Sequence, residues 1–129
     1  MQEFNINKLI KYTNELVKNI PNNTIFIGEI DILFINHFYH KLDLSKIKCN
    51  RIYYRNQEGE SIKNHILPNS LIKLICSHNK LTSLPNLPNS LIELNCSYNK
   101  LTSPLKLPNS LQKLYCYGNK LTSLPELPN

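Results

Sequence analysis

The sequence lacks a long hydrophobic run. Hydrophobic residues make up 41% of the 129 positions, yet no stretch approaches the roughly 18 consecutive apolar residues of a transmembrane helix. The first ten residues, MQEFNINKLI, also lack the charged start and long apolar core of a signal peptide. We therefore expect an intracellular protein without a membrane segment, in a compartment where thiols stay reduced.

Catalytic motifs are missing as well. With three glycines in the whole chain there is no glycine-rich phosphate-binding loop. The four histidines form no H-E-x-x-H pair, and with two aspartates no Ser-His-Asp set is indicated. We therefore predict that the protein is not an enzyme, and that it has neither a cofactor nor a small-molecule substrate.

Acidic residues are scarce in the second half. The formal net charge is +6, and residues 67–129 carry six lysines against two acidic residues, whereas residues 1–66 are nearly balanced. The positive charges are spread at one or two per twenty residues and form no run. This spread favours solubility and an acidic partner, and it is a weak signal for nucleic acid.

What the sequence does contain is a period of twenty residues. One copy, residues 67–86, reads LPNSLIKLICSHNKLTSLPN, and the next copies start at Leu87 and Leu107. A fourth copy starts at Leu127. Aligned, the copies share the pattern L-x-x-L-x-C-x-x-N-x-L. A fixed period of this length indicates stacked turns of a solenoid.

Each copy predicts a short strand, a buried amide and an extended return. In a strand such as Lys73-Leu74-Ile75 the middle residue points inward and its neighbours outward, and strands of successive turns pair in parallel. Asn79 and its counterparts Asn99 and Asn119 are expected to form a ladder that satisfies backbone groups at the bend. Two prolines per copy exclude a helix and favour a polyproline-like return.

This pattern resembles the leucine-rich repeat, with Cys at one of its apolar positions. The resemblance covers residues 67–129. These copies are similar to short repeats of bacterial effectors and of giant DNA viruses, and the Asn- and Lys-rich, Ala-free composition favours a viral origin. It implies an α/β fold class, namely a right-handed leucine-rich-repeat solenoid with a parallel β-sheet on the concave face. It also implies a host-cytoplasmic or virion location.

Residues 1–66 are predicted to complete the solenoid. Apolar spacings of three and four over residues 4–20 predict an amphipathic helix, so that residues 1–20 would cap the first turn. Residues 21–66 would hold two degenerate turns with an inserted loop at 55–63. In the second of these turns, Leu44, Ile47 and Cys49 match L-x-x-L-x-C, and Ile52 falls at the position of the ladder Asn. Residues 67–129 would hold three regular repeats and the start of a fourth.

The four cysteines follow the period of the solenoid. Their spacings of 27, 20 and 20 residues match no metal-binding pattern such as C-x-x-C. Each falls at an inward apolar position, where free Cys behaves as a small hydrophobic residue. We therefore predict a structural role for all four and no metal site.

The candidate binding site is the concave sheet face. Tyr beside Lys suits a protein interface, because Tyr supplies a large contact area at low entropic cost. The hypothetical binding residues are Lys46, Lys48, Lys73, Ile75, His78, Glu93, Asn95, Tyr98, Lys113, Tyr115 and Tyr117. Their variation among the copies fits a binding surface, and it equally fits positions that merely face water.

Three functions stay open. The leading prediction is a non-enzymatic protein-protein interaction module that binds an acidic protein on its concave Tyr/Lys face. The alternatives are nucleic-acid binding by a basic surface, which no motif supports, and a structural or virion role as a repeat-family paralogue. An open strand edge after the third regular repeat would in addition favour end-to-end self-association.

Overall fold

In the described part of the chain, six strands form one sheet in which the order along the chain is also the order in space. The computed structural model describes residues 2–9, 16, 20–21, 23–37, 39–55, 62–102 and 105–123. All five strand pairs are parallel. The strands are β1 (Glu3–Asn5), β2 (Ile25–Ile35), β3 (Ile47–Tyr54), β4 (Lys73–Ile75), β5 (Glu93–Asn95) and β6 (Lys113–Tyr115). The predicted parallel-sheet solenoid is confirmed.

A column of inward side chains runs through the strand centres. Leu33, Ile52, Leu74, Leu94 and Leu114 are aligned by the register of β2 to β6. The first four are at most 1% exposed, and Leu114 on the last described strand is half-buried. The step is 19 residues from Leu33 to Ile52, 22 from Ile52 to Leu74 and 20 from there onwards. Burial of this apolar column is the main driving force for stacking the turns.

The register of β3 differs from the prediction. The pattern Leu44-x-x-Ile47-x-Cys49 was expected to align with the regular copies, but it is Ile52 that pairs with Leu74. Ile52 is therefore a core residue and does not replace a ladder Asn. The spacing could not decide between the two registers, because Cys49-x-x-Ile52-x-Tyr54 fits the same pattern five residues further along.

A row of serine hydroxyls supports this register. In the regular turns, the Ser90 hydroxyl donates to the Leu71 carbonyl at 2.6 Å and the Ser110 hydroxyl to the Leu91 carbonyl at 2.7 Å. The Ser70 hydroxyl makes the same bond to the Cys49 carbonyl at 3.1 Å. Cys49 thus occupies the position that Leu71 has one turn later. The serine of LPNSL therefore bridges neighbouring turns, a role that the sequence pattern did not reveal.

The helix predicted over residues 4–20 is wrong where the structure describes its start. Residues 3–5 form β1, and Ile6–Lys8 form a single 3-10 turn. Phe4 pairs with Phe26 of β2, and their rings meet edge to face at 5.9 Å. The free edge of β2 satisfies the backbone of this segment, and that tertiary pairing overrides the helical spacing. Residues 10–15 and 17–19 lie outside the described residues, and across the described ranges there is no α-helix.

The asparagine ladder is confirmed by its hydrogen bonds. The Asn99 side-chain amide donates to the carbonyl oxygens of Cys76 and Cys96, both at 3.0 Å. Its carbonyl oxygen accepts from the Leu81 N–H at 3.1 Å. Asn119 repeats both halves of this arrangement, with its carbonyl oxygen accepting from the Leu101 N–H at 3.1 Å. Asn79 repeats the donor half. Each Asn therefore joins its turn to the preceding one where the sheet ends.

The cysteines lie along the core. Cys49, Cys76 and Cys96 are buried and Cys116 is half-buried, and all four are free thiols. Burial raises the pKa of Cys49 to about 11 and that of Cys96 to about 12, so these thiols stay protonated at neutral pH. The predicted structural role therefore holds for the three buried thiols. Among the described residues, no group of three or more His, Cys, Asp and Glu could hold a metal ion.

The part of the chain that the structure describes contains no helix that is long and apolar enough to cross a lipid bilayer.

Candidate functional site

The solvent-facing side of the sheet presents two columns of side chains. They flank the buried strand centres, because the pleat sends alternate residues to opposite faces. We call this surface the sheet face. Its members on β3 to β6 are Arg51, Lys73, Glu93 and Lys113 in one column and Tyr53, Ile75, Asn95 and Tyr115 in the other. Six of the eleven residues predicted from sequence lie here.

The charges of the sheet face are largely paired. Glu93 lies 3.1 Å from the Lys73 ammonium and 3.9 Å from that of Lys113. The hydrogen bond to Glu93 is the main reason that the pKa of Lys73 is raised. Arg51 makes a 2.7 Å ion pair with Asp31 on β2. The surplus of positive charge in the repeat half is therefore not concentrated on this face.

Two predicted residues lie elsewhere. Lys46 is exposed in the turn before β3, and Lys48 is exposed on β3, 3.4 Å from Glu29. With the register shifted by five residues, Arg51 and Tyr53 take the places beside Lys73 and Ile75 that were assigned to these lysines. The alternative spacing Cys49-x-x-Ile52-x-Tyr54 was the signal that could have found them.

A row of left-handed residues follows the sheet in the regular turns. His78, Tyr98 and Gly118 have φ angles of 58°, 57° and 71°. Glycine adopts this conformation without steric cost, whereas a bulky residue does not. The first two turns thus hold large rings where the third has glycine. Non-glycine residues held in this region are enriched at functional sites.

The rings at this bend hold one another in place. His78 stacks on Tyr98 with centroids 4.6 Å apart, and Tyr98 meets Tyr117 edge to face at 5.2 Å. A Cβ on Gly118 would lie 2.5 Å from Cδ1 of Tyr98, so the Tyr98 ring covers the glycine backbone. We call His78, Tyr98 and Tyr117 the loop-edge ridge. These three complete the set of predicted residues that the structure brings together.

An open groove adjoins the ridge on the β2 side. It has a volume of about 610 Å³. Its lining residues are Phe34, Asn36, Tyr53, Tyr54, Arg55, Ile75, Ser77 and His78. Phe34 and Tyr53 stack at 5.4 Å and form one aromatic wall, while Arg55 adds an exposed cation. Aromatic walls with a few polar groups suit insertion of a partner's side chain. Phe34 was missed because the sequence analysis aligned no strand of residues 21–66 on it, and Arg55 was missed because it was assigned to the inserted loop at 55–63.

These features define the class of protein. A parallel β-solenoid with a twenty-residue period, a leucine column and an asparagine ladder is a repeat scaffold. Residues 89–129, about a third of the chain, match the family model described as leucine-rich repeats in two copies. This match, together with the parallel solenoid, supports leucine-rich repeats in that part of the chain. Comparison with curated proteins and with solved structures finds no match. Proteins of this family are generally non-enzymatic scaffolds for protein-protein interaction.

Proposed function

We propose that the chain is a protein-protein interaction module whose partner binds the sheet face at the end that carries the loop-edge ridge. The observation that carries this proposal is a group of exposed aromatic rings. Tyr98, Tyr115 and Tyr117 are 48%, 42% and 57% exposed, although tyrosine rings have a large apolar surface. Exposed tyrosines in a group are typical of the residues that contribute most to binding energy.

Order in the ridge supports the same proposal. The Tyr98 ring lies between His78 and the Gly118 backbone and contacts Tyr117 at its edge, so its rotamer is restricted before any partner arrives. Binding by a preorganised ring loses less conformational entropy than binding by a free one. His78 and Tyr98 adopt the left-handed backbone conformation, which is unfavourable in free energy for bulky residues, in order to present the rings in this way.

Charge on β6 favours a partner with acidic groups. The Lys113 ammonium lies 3.9 Å from Glu93, farther than the Lys73 ammonium at 3.1 Å, and the Lys113 side chain is 65% exposed. Tyr115 is its neighbour on the same strand and on the same face. An acidic residue of the partner could pair with Lys113 while apolar atoms cover Tyr115. Such a rim charge mainly increases the association rate and the specificity.

The proposal is tested with a displayed library of random peptides selected on the wild-type chain. The sheet-face variant combines Tyr98→Ala, Lys113→Gln and Tyr115→Ala. The control variant combines Thr102→Ala, Lys106→Gln and Thr122→Ala, which are exposed positions of the return segments. We expect the selected peptides to lose at least about tenfold in affinity for the sheet-face variant and to bind the control as they bind the wild type.

Both variants are first checked by circular dichroism and urea unfolding, because a misfolded variant would also lose binding. Equal affinity of the selected peptides for wild type and sheet-face variant would contradict the proposed site. Failure of the library to yield any saturable binder would favour a structural role of the repeat over an interaction module.

A further inference from the structure

A row of lysines follows the asparagine ladder. Lys80, Lys100 and Lys120 come directly after the ladder residue of each regular turn, and all three are exposed. The Lys100 N–H donates to the Leu81 carbonyl at 2.8 Å, and the Lys120 N–H donates to the Leu101 carbonyl at 2.9 Å. These bonds keep successive turns in register, with the roughly 4.8 Å spacing of neighbouring strands. The three lysines, which we call the lysine row, therefore run along the axis of the solenoid.

The lysine row has no acidic counterpart in the described part of the chain. The ion pairs found there, at up to 4.0 Å, involve none of its three members. Glu93 is the single acidic residue between positions 67 and 123, and it is shared by Lys73 and Lys113. Three like charges in adjacent turns repel one another, and a line of negative charges alongside them would relieve that repulsion.

The loop-edge ridge lies next to the lysine row. Lys80 follows His78 by two residues, Lys100 follows Tyr98, and both pairs flank an inward ladder Asn. A surface that binds single-stranded nucleic acid needs open ring faces on which bases stack. Here the rings of His78 and Tyr98 stack face to face, and the Tyr98 ring also covers the backbone of Gly118. Tyr98, the central ring, therefore offers a partner its edge and hydroxyl, and a hydroxyl beside ammonium groups suits a carboxylate better than a stacked base.

We infer that the lysine row binds a linear acidic segment of a protein partner, which lies along the solenoid axis beside the ridge. Alternate side chains of an extended peptide repeat at about 6.8 Å, and the long lysine side chains can adjust to that spacing. This inference rests on the proposed function, since it names the chemistry of a partner. It adds a contact outside the sheet face and gives the direction in which the partner chain runs.

The test uses fluorescein-labelled deca-glutamate as the probe and fluorescence anisotropy at low ionic strength as the readout. The row variant is Lys80→Gln, Lys100→Gln and Lys120→Gln. The matched control is Lys8→Gln, Lys41→Gln and Lys106→Gln, three exposed lysines that lie apart from one another in the sequence. Both variants lose the same total charge. We expect the row variant to bind at least about tenfold more weakly and the control to change by no more than about twofold.

Four results would overturn the inference. Wild-type chain that does not bind deca-glutamate has no such site, and equal weakening in both variants would assign binding to net charge alone. A labelled ten-residue oligodeoxythymidine that binds more tightly than deca-glutamate and is lost in the row variant would assign the row to nucleic acid. The library-selected peptides could also bind the row variant as they bind the wild type and lose affinity only for the sheet-face variant. That result would contradict the inference and leave the proposed function intact.

Discussion

Single side chains with several hydrogen bonds hold the turns together. Asn99 accepts from one backbone N–H of the preceding turn, and it donates to one carbonyl of that turn and to two carbonyls of its own turn. We expect Asn99→Ala to destabilise the chain by about 3 kcal/mol, because these buried backbone groups would lose their partners. Urea unfolding measures the effect. The same change at the exposed Asn86 should cost less than about 0.5 kcal/mol, and a similar cost at both positions would contradict the ladder's role.

Protonation of one buried histidine makes stability depend on pH. His65 is 5% exposed, its Nδ1 accepts from the Leu42 N–H at 3.2 Å, and burial lowers its pKa to about 4. The unfolded chain takes up a proton near pH 6.5 and the folded chain only near pH 4. The free energy of unfolding should therefore fall by roughly 3 kcal/mol as the pH drops across that window.

Urea unfolding between pH 7.5 and 4 measures this dependence. His65→Gln, which keeps an acceptor but cannot be protonated in this range, should flatten the profile. Hydrogen bonds from Asn50 and Arg51 lower the pKa of Asp31, and hydrogen bonds from Ser45 lower the pKa of Asp43. Protonation of these two carboxylates therefore reduces the free energy of unfolding further at still lower pH. A profile that is unchanged by His65→Gln would show that the loss between pH 6.5 and 4 has another origin.

At the level of one structural element, the bend after each strand couples neighbouring turns through a ring. Gly118 has a φ of 71°, and a Cβ there would lie 2.5 Å from Cδ1 of Tyr98. We expect Gly118→Ala to cost about 2 kcal/mol in the wild type, from the left-handed backbone and the displaced ring together. In a Tyr98→Ala background the cost should fall to about 1 kcal/mol, since the backbone contribution alone remains.

A double-mutant cycle from urea unfolding gives the coupling between these positions. Equal costs of Gly118→Ala in both backgrounds would mean that the Tyr98 ring moves away freely and is not held in place. That outcome would also weaken the proposed preorganisation of the loop-edge ridge, because Tyr98 is its central member.

The strands before the regular repeats show where tertiary pairing overrides local pattern. The apolar spacing of residues 4–20 is helical, but Phe4 and its neighbours pair with the edge of β2. In β3 the spacing fits two registers, and pairing with β4 selects the one centred on Ile52. Both errors arise because periodicity describes which residues are apolar and not which backbone edge is available to them.

For the whole molecule, the twenty-residue period predicts that a complete turn can be removed. Deletion of residues 87–106 joins Asn86 to Leu107, a junction equivalent to the native one, and lets β6 take the place of β5 beside β4. Each turn contacts only its neighbours, so the shortened chain should fold with a parallel sheet. The dependence of unfolding free energy on urea should decrease by about 15%, in proportion to the surface removed.

Deletion of half a period, residues 87–96, is the matched control. It would set the inward Leu and Asn positions of the last turn against the wrong positions of the preceding one, and we expect the cooperative transition to be lost or strongly weakened. If both deletions unfolded alike, stacking of equivalent turns would not be the basis of stability.

The repeats were enough to predict the solenoid, the parallel sheet, the asparagine ladder and the buried cysteines. Each of these follows from the spacing of residues within one turn and from stacking that turn on a copy of itself. The sheet-face residues of β4 to β6 were predictable for the same reason. The first strand, the register of β3 and the places of Arg51, Tyr53 and Phe34 were decided by the tertiary structure. They depend on pairing between segments about twenty residues apart whose sequences are not alike, where local spacing leaves more than one register open.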